Sequence, residues 1–275
     1  MASAKKTILN RVLASADGSG QAGDLQGPGR LCGVRRSAAE PSSGVDVSAT
    51  PTSVQDIVAR LRSIDGELSC DDGAAVFNHM YLTVTEQVAA GLAGTQVFRN
   101  PVFMEQLDVT FARLWLEAYD APGDAVPKAW APLFAQRHNL SLLPIQFALA
   151  GMNSHIAHDL PVAVVRTCRE LNSSPNDAGL REDYEAVNGL LAACESEVRR
   201  SFLTETEQAV DRQVGPVVHL ISSWDIAKAR DVAWVNVEAL WAIRNVGLLA
   251  DRYEAALAGT VGMTSRCLLT PAVVS

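Results

Sequence analysis

Cysteine is scarce and unpaired. The five residues, Cys32, Cys70, Cys168, Cys194 and Cys267, are odd in number, widely spaced and contain no CxxC. That excludes a disulfide framework or a thiolate zinc site and leads us to expect reduced thiols in a cytoplasmic protein. Basic tracts are missing as well. Twenty-three Lys and Arg stand against 31 Asp and Glu, for a net charge of −8. An acidic chain with no Lys/Arg-rich run is poorly made to grip a phosphate backbone, so nucleic acid is not an expected partner. No apolar run suits a bilayer. The most apolar stretch, 140–165, carries Gln146, Asn153, Ser154, His155, His158 and Asp159, groups costly in lipid, and we expect no transmembrane segment. Near the start, Lys5 and Lys6 precede an apolar stretch broken by Asn10 and Arg11, too short and polar for a secretory h-region. The sequence also has no Walker loop, no GxSxG elbow, no HExxH and no DDxxD box, which removes the common signatures for P-loop nucleotide, acyl-transfer, zinc-protease and terpene-cyclase chemistry.

What remains is ample for a core: 275 residues, 48% of them hydrophobic. Residues 1–51 are rich in Gly, Ser, Ala and Pro without apolar periodicity and predict a low-complexity mobile tail. From Thr52 the punctuation is helical. Ser53 with Asp56 forms a capping box before VQDIVARLRSI. Asp71 and Asp72 precede a helix with an apolar stripe of Phe77, Tyr81, Val84 and Val88. Asn100–Pro101 is an N-cap with a first-turn proline, and Pro122–Gly123 ends that helix. A short helix over Lys128–His138, a long one or two joined at Pro161 over 142–171, and two or three more to about Ala258 follow, with a break at Gly215–Pro216. Period-two alternation is absent. The expectation is an all-α, single-domain bundle of seven to nine helices over 52–260, followed by a C-terminal tail over 261–275.

The feature most suggestive of chemistry is NSHIAHD (153–159). At about 100° per residue, His155, His158 and Asp159 share one arc of a helix, and Asp159 is the only formally charged residue between Arg137 and Arg166. A helix apolar nearly all round belongs in the core. Two imidazoles and a carboxylate there must be bonded to each other, hold a metal or line a wet cavity. Asp72, His79 and Glu86, spaced by sevens, form a polar stripe opposite the Phe77/Tyr81 face; across a cleft, His79 would join the trio as an N/O site for zinc, iron or manganese. Asp108, on the face of Phe111, Trp115 and Tyr119, is a carboxylate in an aromatic setting and a candidate general acid or base, with Glu86 as a second. Arg230, Trp234 and Trp241 share a stripe in which Arg230 is a candidate partner for a buried acid. Asn153, Trp115 and Trp234 are candidate substrate contacts.

The blocks FNHMYLTVTEQV (77–88), LDVTFARLWLEAY (107–119), PKAWAPLF (127–134), GMNSHIAHDLPVAV (151–164), DYEAVNGLL (183–191) and ARDVAW (229–234) together resemble a family of uncharacterised, mainly actinobacterial helical proteins classed as a domain of unknown function. The resemblance spans roughly 52–258 and implies an all-α fold, with no activity, cofactor or catalytic residue to carry over. The leading expectation for function comes from the residues themselves: a metal-assisted helical enzyme, hydrolase-like or a lyase or cyclase, acting on a small apolar molecule. In it His155, His158, Asp159 and His79 hold a divalent ion, and Asp108, Glu86 and Arg230 assist. The alternatives are a metal-free enzyme or binding pocket using the same residues, and a structural or interaction domain with a satisfied polar core.

Overall fold

Helix boundaries fall where local chemistry dictates. A computed structural model of the chain describes residues 50–92, 98–189, 191–192 and 225–271, and every regular element among them is helical. Helix α1 (Val54–Glu67) opens on the reciprocal Ser53/Asp56 capping box. Helix α2 (Gly73–Leu92) starts from Asp72, whose carboxylate accepts from the Ala74 N–H at 2.8 Å and from the Arg137 guanidinium. Helix α3 (Pro101–Asp120) has Asn100 as N-cap, accepting from the Phe103 N–H, and Pro101 in its first turn. After a 3-10 turn (Gly123–Ala125) comes the short α4 (Ala131–Gln136). Helices α5 (Pro144–Ser154) and α6 (Leu160–Glu170) run on as one rod through a π turn, His155–Asp159. The rod closes at Asn172, whose φ of 51° lets the Ser173 N–H bond back to the Cys168 carbonyl, a Schellman closure. Helix α7 covers 180–189, α8 is Ile226–Ile243 and α9 is Gly247–Leu268.

Two apolar clusters make the core. One gathers Ile57, Leu61, Phe77, Trp115, Trp130 and Leu149 from α1–α5 with the C-terminal half of α9; the other gathers Phe103, Leu107, Val164, Tyr184, Trp234 and Val237 from α3, α6, α7 and α8. Helix α3 and the α5–α6 rod serve both, and the π turn lies where the rod passes from one cluster to the other. No helix among the described residues is long and apolar enough to cross a membrane. The three described cysteines, Cys70, Cys168 and Cys267, form no disulfide.

One expectation needs adjusting, and two fall outside the described residues. The tail predicted for 1–51 lies, as far as residue 49, outside the described residues, as does the Gly215–Pro216 break. A break that the sequence reading did not place occurs at Arg244–Val246, where Arg244 caps α8 by donating to the Trp241 carbonyl at 2.6 Å and stacking on its indole. The C-terminal tail is corrected: α9 continues to Leu268, and Val261, Ser265 and Leu269 are buried. Gln146 donates to the carbonyls of Leu268 and Thr270, tying the end of α9 to the start of α5. The apolar periodicity of 261–269 is masked in sequence by Gly262 and Ser265, which here are buried against the Lys128 carbonyl and α5.

At Gly262 the close approach is literal: a Cβ would run into the backbone carbonyl of Lys128, which cannot swing away. Overpacking of this kind costs about 1–3 kcal/mol, so Gly262→Ala is expected to lower the melting temperature by roughly 2–10 °C in calorimetry. An unchanged melting temperature would mean that α9 does not seat against the α3–α4 connection.

Candidate functional site

The π turn is a local consequence of Pro161. Proline has no N–H for an intrahelical bond and its ring crowds the carbonyl four residues back. Here the helix accommodates it with a widened turn in which the Leu160 N–H reaches the His155 carbonyl five residues earlier. Such turns mark functional positions more often than ordinary helix does. This one carries the whole HIAHD segment.

Inside that turn Asp159 is the centre of a network. His155 Nδ1 lies 3.0 Å from Asp159 Oδ2, His158 Nδ1 lies 2.8 Å from Oδ1, and the indole Nε1 of Trp130 donates to Oδ2 at 2.9 Å. All three members of the trio are buried, Asp159 at 1% exposure. Burial alone would raise the Asp159 pKa, but the bonds from the two imidazoles outweigh it and hold the carboxyl below its ordinary value. Burial lowers the His155 pKa against the opposing pull of Asp159, so His155 is neutral near pH 7. With Nδ1 facing a carboxylate, the proton sits on Nδ1 and the Nε2 lone pair is left. That Nε2 is buried and meets no hydrogen-bond partner among the described residues.

Aromatic rings close around His155. Phe111 stacks on it with centroids 3.6 Å apart and planes 12° apart, Tyr81 meets it edge-on at 4.6 Å, and Phe77 at 5.8 Å. Phe111 and Tyr81 have a second role: their other sides line a cavity of about 800 Å³. Most of its wall is apolar, including Val84, Met104, Leu107, Leu160 and Val187. The ionisable groups on it are Asp108, Tyr81, Arg230, Arg99 and Glu105. Asp108 has its pKa raised to about 6, first by burial and then by repulsion from Glu105. Burial, with Asp108 next, also pushes the Tyr81 phenol well up, and its hydroxyl is buried without a partner among the described residues.

The structure therefore brings together part of the expected set. His155, His158 and Asp159 form one network behind the aromatic wall, and Asp108 and Arg230 share the cavity in front of it. The others are elsewhere. His79 is half exposed and pairs with Asp65 of α1 at 3.2 Å, which raises its pKa. Glu86 pairs with Arg62 at 2.7 Å, and Asp72 with Arg137. The Asp72/His79/Glu86 stripe is thus spent on three separate ion pairs and does not face the trio. Trp115 is fully buried and donates to Asn78; Trp234 donates to Glu238 and stacks under Arg181. Asn153 donates to the Val261 carbonyl and to Ser265, joining α5 to α9. None of these three lines the cavity. Arg230 meets neither Asp159 nor Asp108; it donates to Asn188 Oδ1 and to the Tyr184 carbonyl, each at 2.6 Å.

The donor set does not fit the expected four-ligand metal site. Both Asp159 oxygens are taken up by N–H donors, His79 belongs to α1's ion pair, and no three His, Cys, Asp or Glu among the described residues are grouped to hold an ion. Trp130 and Tyr81 are the contributions that sequence reading missed. Tyr81 was visible only as a core-stripe residue, and nothing in the sequence links Trp130 to a carboxylate 29 positions away.

If Asp159 is the charge that the two imidazoles and the indole are arranged around, Asp159→Asn removes it and turns an amide N–H toward one of the N–H donors. Breaking a buried pair in this way costs about 3–5 kcal/mol, so a fall of roughly 6–20 °C in melting temperature is expected by calorimetry. A fall below 2 °C would show that the network is not ionised.

No curated protein and no solved structure matches the chain. A family model does, over residues 54–271, and its limits agree with the helical body, from the first residue of α1 to just past the end of α9. The chain belongs to the family described as a family of unknown function, DUF5995.

Proposed function

We propose that the chain takes a small, largely apolar molecule into the cavity between α2, α3, α7 and α8, and that Asp108 is the proton-transfer group acting on it. The observation that carries this reading is the setting of Asp108: an acid with no hydrogen-bond or ion-pair partner among the described residues, its pKa raised to about 6, on the wall of an otherwise apolar cavity of about 800 Å³. Pockets of this size with few polar groups are the usual form of small-molecule sites, and a carboxyl titrating near neutrality works in either direction as acid or base. That chemistry suits a lyase or cyclisation step and needs no metal ligand from the trio. The His155–Asp159–Trp130 network is then a positioning device that fixes the ring on which Phe111 stacks, and through it the wall of the site.

Two measurements test the reading. Decyl-chain probes, 1-decanol and decanoate, are used on the full chain, and at least one is expected to bind with 1:1 stoichiometry. Val84→Trp, which fills the cavity from α2, is expected to weaken that binding at least tenfold. Failure of both probes to bind overturns the pocket.

The second measurement concerns Asp108 and stability. Its ionised form is penalised in the fold and not in the unfolded chain, where the carboxyl titrates near 3.8. The penalty is therefore absent below about pH 4, grows as the pH rises toward the folded value of about 6, and is complete above it. Asp108→Asn is expected to raise the melting temperature by several degrees at pH 8 and to leave it unchanged at pH 4. An equal effect at both pH values would mean that Asp108 titrates normally and is not the poised group.

A further inference from the structure

Among the described residues, Arg230 is a charge without a counter-charge. The residue is 5% exposed. Its Nε donates to Asn188, one Nη2 hydrogen goes to the Tyr184 carbonyl, and the Tyr184 ring lies 4.1 Å from the guanidinium carbon. Those bonds use two of five N–H donors, and both acceptors are neutral. No carboxylate among the described residues lies within ion-pair distance; the adjacent Asp231 is turned to Arg181 at 3.1 Å. A guanidinium taken out of water and given no anion is expensive. This one is held at the wall of the cavity, where Arg99 contributes a second guanidinium. Tyr81 adds a buried O–H for which no partner within hydrogen-bond distance lies among the described residues. The opposing charges on the lining are Glu105, which is exposed, and Asp108.

We infer that the molecule bound in this cavity is an amphiphile with an oxyanion head, a carboxylate or phosphate, seated on the free edge of Arg230, with its apolar body along Val84, Met104, Leu107 and Val187. The planar fork of a guanidinium matches two oxygens of such a head at once, and the two neutral acceptors fix Arg230 so that the fork is pre-oriented. The inference rests on the pocket proposed above and names its ligand class.

The test is isothermal titration of the full chain at pH 7.5 with four probes that share one tail: decanoate, decyl phosphate, 1-decanol and decylammonium. At least one oxyanion is expected to bind ten times more tightly than decanol, and the two oxyanion arms identify the head. Arg230→Met is expected to reduce that affinity to the decanol level while leaving decanol unchanged. Arg230 also holds Tyr184 and Asn188, so Arg230→Lys serves as the second variant: it keeps the charge, loses the fork and is expected to cut the oxyanion preference severalfold. Equal binding of decanol and the oxyanions, or tightest binding of decylammonium, overturns the assignment and leaves the pocket standing. Binding of none of the four overturns both.

Discussion

The interior of this bundle is organised by one ionised carboxylate. Asp159 sits at 1% exposure and survives there because three N–H groups, from His155, His158 and Trp130, converge on its two oxygens at 2.8–3.0 Å. A buried carboxylate with fewer donors would be driven to protonate. Trp130 belongs to the connection into α4 and the imidazoles to the π turn, so satisfying the charge ties two parts of the chain together. It also freezes His155, and His155 in turn fixes Phe111 by a stacked contact. The position of the cavity wall is thereby tied to the hydrogen bonding of one buried carboxylate.

On the other side of that wall the logic is reversed. Behind Phe111 and Tyr81 the central acid is fully satisfied; in front of them, among the described residues, Asp108 and the Tyr81 hydroxyl meet no hydrogen-bond partner, and Arg230 bonds only to neutral acceptors. Folded proteins rarely leave such groups unpaired, since each costs on the order of 1–3 kcal/mol. Several share one cavity with Val84, Met104, Leu107 and Val187, and the proposed ligand would supply their missing partners. The two regions share the aromatic wall of Phe111 and Tyr81.

The outcome for individual residues shows where sequence reasoning has purchase. Asp108 and Arg230 were legible because each is a charge within an apolar or aromatic stripe of its own helix. The trio was legible for the same reason: it holds two imidazoles and the only formal charge between Arg137 and Arg166 in a long apolar stretch. His79 misled because its spacing with Asp72 and Glu86 shows that they share a face, but not which helix that face meets; it meets α1, where Asp65 and Arg62 wait. Trp115, Trp234 and Asn153 misled because an indole or an amide in a buried stripe needs a hydrogen-bond partner in any case, and theirs are Asn78, Glu238 and the α9 backbone.

By itself the sequence determined the helical class, the caps at Ser53 and Asn100, and the withdrawal of His155, His158 and Asp159 from solvent. These rest on interactions within a few residues, or on a periodicity that any buried helix must show. Only the tertiary structure decided that Trp130 completes the Asp159 shell, that α9 closes the bundle beyond residue 260, and that Asp108 and Arg230, 122 positions apart in the sequence, line one cavity. Those outcomes depend on which helix faces which, and helix pairing is set by the summed packing of two cores; no local pattern encodes it.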